Sequence, residues 1–495
     1  MEIGSLIRQS ARRFGEAPAL ECDGRVVSFA EFDRATDRVG NALLAQGLAP
    51  GDRVGAMMPN GIEALVAYYA LAKAGLVRVP LSAKDTPEQN TFKLNDSGCR
   101  GLVHDGNCPT DGAALDIVQD LAWLESHAWS GPVEPCYQPR HPEAPYRLGY
   151  TGGTTGRPKA VTLTMRGEQT EIANFLVDLV PGLGPADTVL HAAPIIHASG
   201  AFFLPALARG ARTRILTSFQ PGRWLEELEA SRASYSFLVP SMIAMVLDTP
   251  GVEGVDATSL RRLCWGASPI PPSVAARAQE IFGTVLAQTY GQSEAPMAIT
   301  VLQPDEHVRV GSAGRPYTMM EVRVIGEDGS YLPPGEPGEV VARGSLLMSG
   351  YWNRPDLTAE TIVDGWLRTG DIGYLDEEGY LFLVDRKHDL IISGGYNVYP
   401  REVEDVLTAH PAVREAAVVG LPHDVWGEVV HAAVALRAPV SEQELLDYAS
   451  AHVPRHKKPR SISVWESLPK SPAGKILRRA VRDRQIGRGA EEAGS

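Results

Sequence analysis

Strand, helix and strand recur along this chain, and the alternation predicts an α/β protein built on doubly wound parallel sheets. Two further observations agree: 495 residues are too many for a single core, so at least two domains are expected, and 44 % apolar residues can bury each. In order, residues 6–14 have helical spacing, 19–22 and 25–28 form a hairpin across Asp23-Gly24, and 29–48 return to helix. Residues 52–58 read as a strand and 62–74 as the helix after it. The apolar run 62–81 is interrupted by Glu63, Lys73 and Arg78, so it is a buried helix leading into a strand and not a membrane span. The pattern repeats at Leu102-Val103-His104 and Val189-Leu190-His191. Residues 110–147, rich in proline and polar side chains, are expected to be a surface connection without function.

A formal net charge of −13 argues against a nucleic-acid-binding surface, which needs clustered Lys and Arg. The N-terminus lacks a basic start followed by an apolar core, so a cytoplasmic location is expected. Cys22, Cys99, Cys108, Cys136 and Cys264 include no CxxC pair, which predicts reduced thiols and no zinc site.

The most informative stretch is Tyr150-Thr151-Gly152-Gly153-Thr154-Thr155-Gly156-Arg157-Pro158-Lys159-Ala160-Val161. Its glycines let the backbone approach an anion, the threonines add hydroxyl donors, and Lys159 adds a mobile positive charge. Taken alone, such residues suit a surface turn as well as a phosphate site. The P-loop of nucleotide hydrolases is excluded, because it needs Gly-Lys-Ser/Thr and here Pro158 precedes the lysine and Ala160 follows it.

The order of these residues resembles the signature Tyr-Thr-Ser-Gly-Thr-Thr-Gly-x-Pro-Lys-Gly of the adenylate-forming superfamily, which contains acyl-CoA synthetases, peptide-synthetase adenylation domains and luciferases. The chain departs from it at Gly152, where Ser is usual, and at Ala160, where Gly is usual; the missing hydroxyl bears on how pyrophosphate is held. Further segments resemble the family's in the same order. Within His191-Ala-Ala-Pro-Ile-Ile-His197 and the residues after it, the resemblance puts His197 at the acyl pocket and the thiol tunnel, with Ala198, Ser199, Phe202 and Phe203 beside the acid; Phe202 and Phe203 suit plain core equally. No Asp stands in 191–204 to pair with an α-amino group, which favours an acid without one.

Val239, and Gly266-Ala267-Ser268 before Pro269, resemble turns beside the acyl group and adenine. Tyr290-Gly291-Gln292-Ser293-Glu294 resembles the family's Tyr-Gly-x-Thr/Ser-Glu: Tyr290 would face adenine, Gly291 the acyl group, Ser293 the α-phosphate, and Glu294 a magnesium ion. High turn frequency over 310–339 suggests a small β-subdomain, which the family also has. Trp366-Leu-Arg-Thr-Gly-Asp371 supplies Asp371 for the ribose hydroxyls.

A charged stretch, Asp385-Arg386-Lys387-His388, precedes a fresh βα pattern and marks the expected boundary between an N-terminal adenylate-forming domain (1–385) and a mobile α+β C-terminal domain (386–495). Arg386 would contact nucleotide, and His388 stands at the hinge position, where Asp or Lys is usual. Gly394, Gly395 and Tyr396 would line the pantetheine tunnel. Pro469-Lys470-Ser471-Pro472-Ala473-Gly474-Lys475 matches the family's last signature and makes Lys475 the catalytic lysine of adenylation. Residues 487–495 are expected to be disordered.

The resemblance implies an ATP-, Mg2+- and coenzyme A-dependent acyl-CoA synthetase acting on an aromatic, alicyclic or medium-chain carboxylic acid. Thr151, Gly152, Gly153, Thr154, Thr155, Gly156 and Lys159 would hold the phosphates; Thr151, Glu294, His197 and Lys475 would carry catalysis. A ligase loading a phosphopantetheinylated carrier protein, an oxidative luciferase-like enzyme and a non-catalytic nucleotide-binding homologue remain as alternatives. Family habit suggests a homodimer.

Overall fold

The computed structural model describes every residue except 1, 108–111, 152–157, 387–388, 394–395, 424–425, 471–475 and 494–495. The chain divides into two compact units: 1–267 with 273–322 and 342–367, and 268–272 with 323–341 and 368–495. The expected boundary at 385/386 concerns which segment swings, a separate matter from compactness, and is taken up below as a proposal.

In the first unit the expected hairpin forms from Pro18–Cys22 and Arg25–Ser28, turned by Asp23 and Gly24 at φ of 47° and 80°. Ser28 then starts the helix Phe29–Ala45 with a reciprocal cap, its hydroxyl accepting from Glu31 N while the Glu31 carboxylate takes Ser28 N. A seven-stranded sheet runs, neighbour to neighbour, through Gly350–Tyr351, Lys159–Thr164, Pro145–Thr151, Val77–Pro80, Arg53–Met57, Cys99–His104 and Ile117–Gln119. A second sheet carries the parallel neighbours Arg212–Ile215, Thr188–His191, Tyr235–Leu238, Arg262–Trp265 and Leu286–Gln292. These are the doubly wound sheets predicted from the alternation. Ser312–Pro316, Met320–Ile325 and Gly338–Gly344 are the short strands expected after residue 310.

The helix Ile62–Lys73 is buried nearly all round, which accounts for its continuous apolar sequence. Lys73 at its end is fully buried yet neutralised: Nζ lies 2.5 Å from Asp33 Oδ1 and 2.8 Å from Asp37 Oδ1, and donates to Asp33 O. Asp37 Oδ1 also accepts from Cys136 N at 3.0 Å.

Cys136 belongs to the stretch expected to be a bare surface connection, and that expectation is corrected. Ile117–Gln119 adds a parallel strand to Cys99–His104, and the helix Leu121–Ala128, capped by Asp120, buries Leu124 and Ala128 in the main core. A three-residue strand and a two-turn helix leave too short a periodic pattern to stand out from the prolines around them. The four described cysteines are buried free thiols, and burial pushes them up to about 11 (Cys22, Cys99, Cys136) and about 12 (Cys264), as reduced structural residues require.

The second unit contains a five-stranded sheet of Tyr396–Val398, Ile391–Ser393, Gly427–Leu436, Val413–His423 and Ser461–Trp465, with the helices Pro400–Ala409, Glu442–His452 and Arg478–Ala493. The last helix corrects the expected disordered tail, since its backbone stays helical to Ala493; alanine, arginine and glutamate outweigh Gly487 and Gly489. Among the described residues, no helix is long and apolar enough to cross a membrane.

Candidate active site

The phosphate-type stretch grows out of an antiparallel stem. Pro145–Thr151 pairs with Lys159–Thr164 down to the last rung, Thr151↔Lys159. The stem is anchored at Tyr150, whose hydroxyl donates to Asp96 Oδ2 (2.8 Å) and Lys93 O (3.2 Å). Gly152, Gly153, Thr154, Thr155 and Gly156 lie outside the described residues. Thr151 Oγ1 is buried and has no hydrogen-bond partner among the described residues. A buried hydroxyl left unsatisfied beside a lysine is what an absent oxyanion would leave behind.

Lys159 Nζ donates to Tyr351 Oη at 2.6 Å, and Tyr351 donates to Glu294 Oε1 at 2.6 Å, while lysine and glutamate stand 3.9 Å apart. Strand pairing builds this relay: Gly350–Tyr351 adds to Lys159–Thr164 with Tyr351 opposite Val161, and Met348 N donates to Glu294 O at 2.8 Å. Burial lowers the pKa of Lys159 although Glu294 acts the other way; burial, then the Glu294 charge, raises that of Tyr351. The ammonium therefore has a partner it can exchange for an incoming phosphate. Glu294, itself buried, can offer a carboxylate oxygen to a divalent cation, which binds through one or two carboxylates together with substrate phosphates. Among the described residues there is no cluster of three metal-ligating side chains.

Other expected residues sit at the carboxyl ends of adjacent parallel strands, where open α/β sheets bind ligands. Val239 follows Tyr235–Leu238, Gly266 follows Arg262–Trp265, and Tyr290 and Gly291 end Leu286–Gln292. Two of these positions demand glycine: a Cβ on Gly266 would stand 2.4 Å from Thr289 O, and one on Gly291 would stand 2.5 Å from Met297 Cα. Ala267 takes φ 70°, Tyr290 is half-buried and Ser293 is exposed.

The segment after Thr188–His191 is fixed from both sides. Asn60 accepts from Ile195 N (2.8 Å) and donates to Ala193 O (3.1 Å), and Ser199 Oγ meets His191 Nδ1 at 2.9 Å. Ala198–Phe202 forms a tight turn ahead of the helix Phe203–Arg209. The two phenylalanines, for which pocket and core are equal readings, are both buried: Phe203 packs on Phe32 and Tyr69, and Phe202 on Phe175 and Phe237. His197 is exposed, and the protein around part of its ring lowers its pKa. It stands on the rim of a cavity whose other walls include Tyr69, Arg78, Arg147 and Glu171.

In the second unit, Asp371 and Arg386 face each other across the antiparallel strands Trp366–Leu375 and Leu381–Arg386. Asp371 is buried, and its N donates to Thr369 Oγ1 at 3.1 Å. The neighbouring Asp385 accepts from Arg401 N (2.8 Å) and Arg478 Nη1 (2.7 Å), and Arg478 also binds Asp389 (2.9 Å) and Glu404 (2.6 Å). His388, Gly394, Gly395 and Lys475 lie outside the described residues, and Tyr396 is exposed beside His456.

Sequence reasoning missed Tyr351, Arg478 and Glu171. Tyr351 lies far from the Gly/Thr stretch in sequence, and its place depends on the pairing of Gly350–Tyr351 with Lys159–Thr164. Arg478 stands three residues beyond the last signature, and only the fold gathers its three carboxylates.

Residues 7–352 match the model of a family described as AMP-binding enzyme, and residues 402–475 that of the AMP-binding enzyme C-terminal domain. The chain is 36 % identical to a feruloyl-CoA synthase of an Amycolatopsis species, over 97 % of this chain and 99 % of the relative. It is also 36 % identical to the fatty acid–[acyl-carrier-protein] ligase ScoC of Streptomyces coeruleorubidus, over 96 % and 95 %. Among solved structures, the o-succinylbenzoate CoA synthetase MenE of Bacillus subtilis, in complex with the acyl-adenylate intermediate OSB-AMP, superposes with a TM-score of 0.89 at 31 % identity, covering 98 % of this chain and 99 % of that one.

Proposed function

We propose, from the premise that the chain belongs to the AMP-binding enzyme family, that it is an ATP-dependent acid–thiol ligase: it joins a carboxylic acid to AMP and passes the acyl group to coenzyme A. The observation that supports this most is the buried Thr151 hydroxyl, without a partner among the described residues, paired in register with Lys159 at the start of the Lys159–Tyr351–Glu294 relay.

In the first step a substrate carboxylate oxygen attacks the α-phosphorus of ATP, the bond to the β-phosphate oxygen breaks, and pyrophosphate leaves. Thr151, the 152–156 turn and Lys159 would hold the phosphates, with Lys159 turning from Tyr351 towards them. Glu294 would bind Mg2+, which supplies charge neutralisation for the triphosphate when bound. Tyr290 and the turn Gly266-Ala267-Ser268 would frame adenine, Ser293 the α-phosphate, Asp371 the ribose and Arg386 the nucleotide. Lys475 would stabilise the charge that develops between carboxylate and phosphate, the kind of term that often dominates such barriers. In the second step the C-terminal segment from 386 onward would swing about His388 and bring Gly394, Gly395 and Tyr396 to a thiol tunnel bordered by His197. The thiolate then attacks the acyl carbon, and AMP departs with the bonding electrons.

The test is carboxylate-dependent exchange of labelled pyrophosphate into ATP over a broad panel of acids. Exchange with at least one acid is expected; ATP binding with no exchange would instead mark a non-catalytic nucleotide-binding homologue. Acceptors separate the two ligase readings, because ScoC is a ligase whose acyl acceptor is a carrier protein: CoA should support release of AMP more readily than a phosphopantetheinylated carrier.

A further inference from the structure

The cavity behind His197 has a polar lining that phosphate chemistry does not use. Its walls come from Leu65, Tyr68 and Tyr69 on one side, Arg78 and Arg147 from two strands, Glu168 and Glu171 from the helix Met165–Asn174, and residues 195–201 of the segment expected to border the acid. Three features bear on its chemistry. Arg78 is 7 % exposed, lines the cavity, and has an Nε without a hydrogen-bond partner among the described residues. Arg147, which also lines it, likewise has a buried Nε without a partner among the described residues. Glu171 is 4 % exposed, and among the described residues it forms no ion pair and no hydrogen bond from its carboxyl group. Arg78 lies over the Tyr68 ring at 4.6 Å, and among the described residues its guanidinium forms no ion pair. Burial first, and the neighbouring Glu168 second, push the Glu171 pKa upward, with Arg147 opposing.

Buried polar groups are hydrogen-bonded as a rule, and a set of orphans around one cavity implies a partner that comes and goes. That partner must accept from arginine N–H groups and also meet a carboxyl group, and it must fit between tyrosine rings.

We infer that this cavity is the far end of the acyl site, and that the preferred acid is an aromatic or alicyclic one carrying a hydroxyl at the end remote from its carboxylate, the hydroxyl donating to Glu171 and accepting from Arg78. The inference rests on the acid-activating function proposed above. It also narrows the substrate, since the site-lining residues legible in the sequence indicated a mainly apolar acid.

The experiment compares matched acids, hydroxyl against isosteric methyl, by kcat/KM for pyrophosphate exchange: p-hydroxybenzoate with p-toluate, p-hydroxycinnamate with p-methylcinnamate, and ω-hydroxyoctanoate with nonanoate. A site built to hydrogen-bond a hydroxyl rejects the analogue lacking it strongly, whereas an apolar pocket does not, so the best aromatic pair should favour hydroxyl by ~100-fold or more. In Glu171→Leu that ratio should fall to within ~3-fold of unity, and Glu171→Gln should keep part of it. Each ratio is taken on one preparation, so a variant that folds poorly lowers both acids alike and leaves the ratio readable. A wild-type ratio near one for every pair, or an unchanged ratio in Glu171→Leu, would overturn the inference while leaving acid activation intact. Exchange with no acid at all would overturn the proposed function and this inference with it.

Discussion

Lys73 and Glu171 are both ionisable side chains buried in the first unit, and their surroundings are opposites. Lys73 has two aspartates and a main-chain carbonyl within 2.8 Å, and Asp37 in turn holds Cys136 N. Glu171 shares a cavity with two arginine Nε atoms that have none. Arg478 in the second unit repeats the first pattern, with Asp385, Asp389 and Glu404 around it. The contrast separates scaffold from site: a buried charge with complete partners fixes one packing, whereas buried polar groups with incomplete ones are held ready for a ligand, at some cost in stability.

The contrast can be broken by experiment. Asp37→Ala leaves Lys73 with half its counter-charge and unpairs Cys136 N, so urea unfolding at pH 7 should show a loss of about 3–5 kcal/mol. A loss under about 1 kcal/mol would mean that the junction is not the scaffold it is taken for.

Acidification should be nearly as damaging. His191, buried with only Ser199 for a partner, is pushed down from 6.5 to about 4, and His431, between Ser461 and Ser463, likewise to about 4. A histidine depressed in the folded state binds fewer protons than in the unfolded chain. Its contribution is therefore complete above pH 6.5 and is lost as pH falls towards 4, up to about 3 kcal/mol for His191. Unfolding free energies measured from pH 8 to 4 check this, and His191→Asn should flatten the slope below pH 6.5.

Tyr351→Phe removes the hydroxyl that links Lys159 to Glu294. Hydrogen bonds to charged groups contribute about 1.5–3 kcal/mol, so pyrophosphate exchange should slow by ~10–100-fold with the fold intact by circular dichroism. An unchanged rate would remove the relay from the phosphate site. The smallest effect sharpens the comparison most: Glu171→Leu should change stability by no more than about 1 kcal/mol, in either direction, because no internal partner is lost.

The regular elements were legible because their causes are local. Hydrophobic runs, the Asp23-Gly24 turn and the proline- and glycine-bounded strand ends mark the sheets, and the Gly/Thr stretch and Tyr290–Glu294 point to nucleotide chemistry in the sequence itself. What stayed hidden depends on distant pairing. Tyr351, 192 residues later in the chain, reaches Lys159 through an added strand. Glu171 stands in a helix with Glu168 and Gln169, where polarity suggests solvent, and its burial is set by Tyr69, Arg78 and Arg147 arriving from other elements. The strand and helix within 110–147 were obscured by their brevity, since three residues of strand carry almost no periodic signal.

That the chain joins an acid to AMP is tested most directly by mixing enzyme, ATP, Mg2+ and a carboxylic acid without any thiol and analysing the quenched mixture by mass spectrometry. An acyl-adenylate should accumulate on the protein to about one per active chain and disappear when CoA is added, with AMP released. ATP bound and recovered unchanged beside every acid tried, or cleaved to ADP, would contradict the account.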